Sequence, residues 1–222
     1  MKKKKFCIAL GLLGAFALWT IAISLIDVQA IGPQGSTVGF ATLNSMVHKL
    51  TGVHMQLYTI TDWLGLVSVA FGFAFALLGL AQWIKRKNIL KVDRSILILG
   101  AFYIVTLAAY LFFESYVINY RPVLIAGYLE ASYPSSTTLL VLCVMPTAGM
   151  QLQGRIKSHA LRKVVTVAIT AFIVFMVAGR LVSGVHWLTD IIGSIILSAG
   201  LYMIYKSSVL LLDKKRRAYC GA

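Results

Sequence analysis

The stretch that decides the fold and the chemistry of this chain is GRLVSGVHWLTD, residues 179–190. It places Arg180, His186 and Asp190 at the junction of two apolar segments, where an ionisable side chain is costly unless it has a partner or a function. If the chain is helical from Trp187 onward, His186 and Asp190 share one face. An imidazole held by a carboxylate is a base or nucleophile, and arginine binds phosphate oxygens. The competing interpretation is a polar helix cap with an arginine reaching the membrane surface.

The composition is that of an integral membrane protein. Of the 222 residues, 59% are hydrophobic and only 13% are charged, which is too few charges for the surface of a soluble domain. The formal charge of +14 comes from short basic clusters between apolar runs. Because these clusters form no groove or aromatic-interleaved patch, nucleic-acid binding is set aside. The isolated cysteines and scattered histidines lack metal-ligand spacing, so we expect neither a metal nor a cofactor.

Six apolar runs are long enough, or nearly so, to cross a hydrocarbon core of roughly 30 Å at about 20 residues per helix. They predict an all-α, polytopic membrane helical bundle with six transmembrane helices, in one domain spanning 1–222. A cleavable signal peptide is the alternative for the first run, but that run exceeds the about 7–15 residues of a signal core. The fourth run is interrupted by Pro146. The runs cover about 6–28, 60–84, 95–118, 135–152, 164–182 and 187–212.

Basic residues set the expected orientation. Four lysines precede the first run, and five lysines and arginines lie in the 85–94 loop. Four more lie in the 153–163 loop and four after residue 212. The opposite side holds Lys49, Arg121 and Arg180. By the positive-inside rule both termini are cytoplasmic, so we expect a multi-pass plasma-membrane protein with the 179–190 stretch on its extracytoplasmic side.

The longest connection, about 29–59, carries apolar residues at helical spacing. This pattern predicts a short amphipathic helix on the membrane surface. Such a helix either packs against the bundle or gates the lateral passage of a lipid, and the periodic stripe favours packing. The stripe consists of Phe40, Leu43, Met46, Val47 and Leu50.

Two further polar features fall on the same side of the membrane. Arg121-Pro122 follows the third run, and Pro134 begins a run of hydroxyl residues that opens the fourth. The free N–H groups of a helix start, with the helix dipole, bind anions, and Ser135 adds a hydroxyl donor. Singly, these features are an ordinary interfacial arginine and an ordinary helix cap. Together with residues 179–190 they predict a phosphate cradle with a nucleophile.

The order and spacing of these features resemble the type 2 phosphatidic acid phosphatase superfamily, the lipid phosphate phosphatases that share a helical core with vanadium haloperoxidases. The third family motif is Ser-Arg, five residues, His, three residues, Asp. It matches at Arg180, His186 and Asp190, with Gly179 in place of the serine.

The other two motifs match in part, so that the resemblance spans about 114–190. The first motif, a Lys seven residues before Arg-Pro, is present at Arg121-Pro122 but has Glu114 at the lysine position. The second, Pro-Ser-Gly-His, corresponds to Pro134-Ser135-Ser136-Thr137, so serine replaces the glycine and threonine replaces the histidine.

The resemblance implies a membrane lipid phosphatase or phosphotransferase that requires no metal. His186 would attack phosphorus to give a phospho-histidine, and Asp190 would orient the ring. The equatorial phosphate oxygens would be stabilised by Arg121, Arg180, Ser135 and backbone N–H groups. The implied substrate-binding residues are Arg121, Ser135, Ser136, Thr137 and Arg180. The implied partners are a phosphorylated lipid and the bilayer itself.

The departures from the motifs bear on the substrate. In the family the second-motif histidine protonates the leaving group, and Thr137 is not acidic enough to replace it. Loss of a general acid costs on the order of 10²–10⁴ in rate. A polyprenyl diphosphate, whose leaving group is a weak base, would tolerate Thr137 better than phosphatidic acid. Glu114 either faces the cradle, points elsewhere or acts as a substitute acid.

Two alternatives to a phosphatase follow from the same departures. The first is a catalytically impaired pseudoenzyme that binds or moves a phosphorylated lipid with Arg121, Ser135 and Arg180. The intact set of Arg180, His186 and Asp190 argues against it. A haloperoxidase fits least, because that chemistry also relies on the missing lysine and histidine.

Overall fold

The protein is all-helical over the residues that the structure describes, as the sequence predicts. The structure is a computed structural model that describes residues 2–220, with side chains from Lys5 to Leu211; the basic cluster 214–217 lies outside the described side chains. Two short 3-10 turns, Pro33–Gly35 and Ile89–Lys91, lie in the connections. The α-helices are α1 Lys2–Leu25, α2 Ala41–Thr51, α3 Met55–Arg86, α4 Arg94–Ser115, α5 Ser136–Gln153, α6 His159–Val182 and α7 Leu188–Cys220.

Five helices in the described range are long and apolar enough to cross a membrane: α1, α3, α4, α6 and α7. The protein is therefore a polytopic helical membrane protein. The fourth predicted run forms α5, whose 18 residues extend about 27 Å at 1.5 Å per residue. α5 packs against α3, α4, α6 and α7. A helix surrounded by protein needs no apolar face towards lipid, which explains its hydroxyl and amide side chains and Pro146.

α7 is the second central helix, and α1 packs along it. Ala9, Phe16 and Ile23 of α1 are buried in this contact and the surrounding core. The Phe16 ring stacks on Tyr133, with centroids 6.1 Å apart, and Trp19 Nε1 donates to the carbonyl of Thr189 at 3.2 Å. α1 thus contributes to the core of the bundle.

Because the long helices alternate in direction, their connections gather at two ends of the bundle. The end that we call the basic end holds 87–93 and 154–158. The other end, here called the site end, holds three connections that contact one another: 26–54, 116–135 and 183–187.

A tight backbone contact joins two of these connections. The N–H of His54 donates to the carbonyl of Ser183 at 2.9 Å. Gly184 has a φ of +70°, and a Cβ there would lie 1.9 Å from the carbonyl oxygen of Gly52. Only glycine fits this position, so the start of α3 fixes the path of the chain just before His186.

The predicted amphipathic helix is α2. Its buried Asn44 donates to the Gly39 carbonyl at 2.8 Å and to Thr189 Oγ1 at 3.0 Å, and accepts from the Thr189 N–H at 3.2 Å. Met46 and Leu50 of the apolar stripe remain exposed. α2 therefore packs on α7 through a polar side chain and leaves part of its apolar stripe on the surface.

Candidate active site

His186 lies buried in the short connection between α6 and α7. Arg121 Nη1 and Arg180 Nη2 both donate to its Nε2, each at 3.3 Å. A guanidinium group can only donate, so Nε2 is the nitrogen without a proton and the ring proton is on Nδ1. Residues separated by 65 positions in sequence are thus brought into contact at one ring nitrogen.

The charge state of His186 follows from its surroundings. Burial, together with the positive charges of Arg121 and Arg180, holds the pKa of His186 well below its usual value of 6.5. The imidazole is therefore neutral near pH 7, and its Nε2 lone pair points at the two guanidinium groups. An anion drawn to these arginines arrives at that lone pair.

Asp190 is buried in the first turn of α7. Its Oδ2 accepts the N–H of Trp187 at 2.9 Å, and its Oδ1 accepts from Asn119 Nδ2 at 3.4 Å. The bond to Trp187 is the carboxylate half of a capping box. Oδ2 lies 3.8 Å from His186 Nδ1, which is too far for a hydrogen bond. His186 precedes α7 and does not share a helical face with Asp190. The predicted direct hydrogen bond between the two side chains is therefore absent.

Ser132 lies between the two residues. Its Oγ is 3.2 Å from His186 Nδ1 and donates a short hydrogen bond to Asp190 Oδ2. Sequence reasoning missed this residue, because an uncharged serine two residues before Pro134 has no pattern that distinguishes it from the other hydroxyl residues nearby.

The two arginines share an aromatic neighbour on α3 that the sequence did not indicate. The Cζ atoms of Arg180 and Arg121 lie 4.9 Å and 5.8 Å from the ring centroid of Tyr58, within the range of cation–π attraction. Arg180 comes from the last turn of α6, and Arg121 from an extended segment whose N–H donates to the Glu130 carbonyl at 3.0 Å. Tyr58 therefore helps to hold two like charges side by side.

Each arginine also has a carboxylate at the rim. Arg180 Nη1 lies 3.5 Å from Asp62 Oδ1, and Arg121 Nε lies 3.1 Å from Glu130 Oε2. The carboxylates are 56% and 39% exposed, whereas the arginine side chains are 1% and 8% exposed. In the described part of the chain, Arg180 Nε has no hydrogen-bond acceptor, whereas Arg121 Nε faces the Glu130 carboxylate. The donors that both arginines direct at His186 Nε2 are Nη groups, and these can also bind an anion.

The second-motif serine lies behind Asp190. Ser135 is fully buried; its N–H donates to the Asp190 carbonyl at 3.3 Å and its Oγ donates to Thr138 Oγ1 at 3.0 Å. Within residues 5–211, no hydrogen bond joins Ser135, Ser136 or Thr137 to His186 or to either arginine. The structure thus brings together Arg121, Arg180, His186 and Asp190, with Ser135 as a backbone neighbour.

Ser136 and Thr137 face a different feature, an apolar groove of about 1090 Å³. The groove is lined by α3, α4 and α5, and it runs from the first turn of α5 to Trp83 near the basic end. Thr137 packs its methyl group towards α3, where a Cβ at Gly65 would lie 3.1 Å from it. Lining residues such as Phe73 are exposed on the bundle surface, so the groove opens towards lipid.

Glu114, at the position of the first-motif lysine, forms no hydrogen bond with Arg121 or Arg180 among the described side chains. It is exposed at the end of α4 and lines a small cavity with Tyr110 and Tyr133. The ion pairs found among the described side chains do not include it. In the same range, no three His, Cys, Asp or Glu side chains lie close enough together to hold a metal ion.

Comparison with known proteins identifies the family of this chain. The family model described as the PAP2 superfamily matches residues 99–211, about half of the chain, and the chain belongs to this superfamily; the resemblance noted in the sequence is confirmed. No curated protein matches the chain significantly. A similar solved structure is the crystal structure of the first transmembrane PAP2 type phosphatidylglycerolphosphate phosphatase from Bacillus subtilis, with a TM-score of 0.53 and 17% identity. The match covers 93% of this chain and 96% of that one, and at this identity the likeness is one of fold.

Proposed function

We propose that the protein is a lipid phosphatase that cleaves a phosphorylated membrane lipid through a phospho-histidine at His186. One observation carries the proposal: a neutral imidazole whose Nε2 lone pair faces the N–H donors of Arg121 and Arg180. Two guanidinium groups beside the nucleophilic nitrogen attract a negatively charged electrophile, and a phosphoryl group is such an electrophile.

The chemistry proceeds in two steps. A bound phosphoryl group replaces Nε2 as the acceptor of the arginine N–H donors. Nε2 then forms a bond to phosphorus while the bond to the leaving oxygen breaks, and that oxygen keeps the electron pair. The ring becomes positive with Nδ1 still protonated, and the Asp190 carboxylate stabilises this charge. Water next attacks phosphorus and its hydroxyl joins the phosphate, while the Nε2–P bond breaks and its electron pair returns to Nε2. The second proton of the water passes to solvent, and neutral His186 is restored.

The leaving group is the finer part of the proposal. Thr137 supplies no acidic proton, and Asp62 and Glu130 are paired with arginines. A leaving group that departs as a weak base needs no proton, which favours a lipid diphosphate such as a polyprenyl diphosphate. The apolar groove that begins at Ser136 and Thr137 supports a substrate with a long hydrocarbon chain, because its volume of about 1090 Å³ slightly exceeds the roughly 300–1,000 Å³ usual for ligand pockets.

Phosphate release by the purified protein tests the activity. The panel comprises a polyprenyl diphosphate, a phosphatidic acid and an aryl phosphate, and His186→Ala is compared with His159→Ala, an exposed histidine at the start of α6. We expect His186→Ala to lose roughly 10⁴-fold or more, the scale seen when a nucleophile is removed, and His159→Ala to match wild type. An acid-labile, base-stable phospho-enzyme should form only when His186 is present.

The same assay separates the pseudoenzyme from the enzyme. If wild-type protein releases no phosphate from any substrate and forms no phospho-enzyme, but binds the lipids as well as His186→Ala does, the catalytic proposal is wrong. The remaining function is then the binding or movement of a phosphorylated lipid.

We further propose one membrane domain with six crossings, α5 included, in the plasma membrane, with both termini cytoplasmic and the site end outside. The lysines and arginines at the basic end support this orientation. In a cysteine-free background, an impermeant thiol reagent should label Tyr128→Cys in intact cells but not Asn88→Cys. The opposite labelling would reverse the topology.

A further inference from the structure

We infer that Ser132 is a positioning residue that couples Asp190 to His186, accepting the Nδ1 proton of the imidazole and donating to the carboxylate. The inference rests on the proposed function for its catalytic consequence, but the hydrogen-bond arrangement itself can be tested without turnover. It changes the expected histidine–aspartate pair into a chain of three residues.

The direction of the chain follows from donor and acceptor capacity. Nε2 of His186 accepts from two guanidinium groups, so Nδ1 must carry the ring proton. A serine hydroxyl has one proton and two lone pairs. Ser132 Oγ uses its proton for Asp190 Oδ2 and therefore meets Nδ1, 3.2 Å away, as an acceptor.

The hydroxyl is held in place by its surroundings. Ser132 is 2% exposed, and its N–H donates to the Asn119 carbonyl at 2.9 Å. Tyr133, the next residue, is buried and its hydroxyl pairs with Thr20 Oγ1 at 2.7 Å. The backbone on both sides is thereby fixed, and the hydroxyl stays between ring and carboxylate.

His186 depends on this hydroxyl more than Asp190 does. Asp190 keeps the Trp187 N–H and Asn119 as partners if Ser132 is lost. Nδ1 has Ser132 Oγ as its side-chain hydrogen-bond partner among the described residues, with the Ser132 backbone also against the ring, since Asp190 Oδ2 is 3.8 Å away. Loss of the hydroxyl therefore loosens the ring and breaks its link to the carboxylate, while the arginines that bind phosphate are untouched.

The kinetic test compares Ser132→Ala with Ser198→Ala, another buried serine, whose hydroxyl only donates to the Ile195 carbonyl on its own helix. A misplaced nucleophile costs about 10²-fold in rate. We expect that loss in kcat for Ser132→Ala, with KM little changed, and wild-type kinetics for Ser198→Ala. Ser132→Thr, which keeps the hydroxyl, should restore most of the rate, and Ser132→Cys, a weak hydrogen-bonding group of similar size, should remain impaired.

The Nδ1 proton of His186 gives a readout that needs no turnover. In ¹⁵N-histidine-labelled protein, with the His186 signals identified by comparison with His186→Gln, wild type should show a proton on Nδ1 with the downfield shift of a hydrogen-bonded N–H. Ser132→Ala should keep this tautomer, which the two arginines impose, but its Nδ1 proton should move upfield and exchange faster with solvent. If wild type releases no phosphate but shows this change, the proposed function fails and the role of Ser132 stands. A proton on Nε2 in wild type, or wild-type kcat in both Ser132→Ala and Ser132→Cys, would overturn the role of Ser132. Where Ser132→Ala does not fold, the Cys variant decides.

Discussion

Two helices of this bundle, α6 and α7, show how differently lipid-facing and site-bearing segments are built. In the most apolar 18-residue window of each, 17% of residues are buried in α6 and 56% in α7. The buried face of α7 carries Asp190, Ser194 and Ser198, each of them hydrogen-bonded. Low burial of apolar side chains therefore marks the helices that face lipid, whereas hydrogen-bonded polar side chains mark the helix that borders the candidate site.

The largest effect is expected from a substitution in the first turn of α5, where Thr137 stands at the position of the family's general-acid histidine and lines the groove. Thr137→His should raise turnover of alkyl monophosphates by about 10²–10⁴-fold, the contribution of a general acid, and should change diphosphate turnover far less. Phosphate release from matched alkyl and diphosphate lipids measures it. Thr137→Gln, of comparable size but without an acidic proton, should give no gain; an equal gain in both variants would assign the effect to shape alone.

A second comparison removes one arginine from each end of the bundle. Arg180 is buried against Nε2 of His186, and Arg86 forms an exposed ion pair with Asp93 at the basic end. Loss of one donor to a transition-state oxyanion costs about 10²–10³-fold, so we expect that fall in kcat/KM for Arg180→Ala. Exposed ion pairs contribute little, so Arg86→Ala should match wild type. Similar losses in both variants would mean that the site end has no special role.

A third comparison tests the groove with two glycines that have open space around their Cα atoms, Gly100 and Gly11. Gly100 lines the groove, whereas Gly11 lies on α1. Gly100→Leu should reduce kcat/KM for a long-chain lipid by about 10-fold, the lower end of the effect of one methylene in a hydrophobic pocket, without affecting a chain-free aryl phosphate. Gly11→Leu should change neither. A Gly100→Leu enzyme with unchanged kinetics on the long-chain lipid would show that the hydrocarbon chain lies elsewhere.

The smallest expected effect is a shift in pH dependence. In the proposed mechanism only neutral His186 attacks phosphorus, and the pKa of His186 is held well below 6.5 by burial and by the two arginines. The kcat/KM should therefore hold between pH 7 and 6 and fall only at lower pH. Arg121→Gln removes one of these charges and should move the acidic limb to higher pH; a limb that stays in place would show that Arg121 does not act on the imidazole.

The lowered pKa of His186 also affects the stability of the folded protein. In the unfolded chain this histidine has its ordinary pKa of about 6.5, so below that pH the unfolded chain binds a proton that the folded protein does not bind. The unfolded state is therefore favoured as the pH falls below this value. The unfolding temperature should fall between pH 6.5 and 5, and it should fall less steeply in His186→Gln.

The features that could be predicted from the sequence are those that depend on hydropathy, charge and motif spacing. Hydropathy located all the long helices, and the motif spacing located Arg121, Arg180 and His186, which the structure brings into contact. Asp190 was expected to touch His186, but the histidine stands before the helix and the distance is 3.8 Å. Periodicity places residues only within a helix, so it could not give the geometry of a loop residue.

The residues that sequence reasoning missed make contacts set by tertiary packing. Tyr58 and Asp62 belong to an apolar helix far from the motifs in sequence, and they reach Arg180 only because α3 packs beside α6. Ser132 differs from its neighbouring hydroxyl residues only in the direction its side chain takes. No local pattern encodes either property.

The backbone contact between Gly184 and Gly52 has a further consequence for how such a chain can change. The stretch recognisable as PAP2 begins at residue 99, yet Gly52 and Tyr58 lie before it and shape the surroundings of His186. The surroundings of His186 therefore depend on residues from both halves of the chain. A chimera that keeps residues 99–211 and receives a foreign segment before them would keep His186 and both arginines but lose these contacts, so we expect its substrate preference to change although its motifs do not.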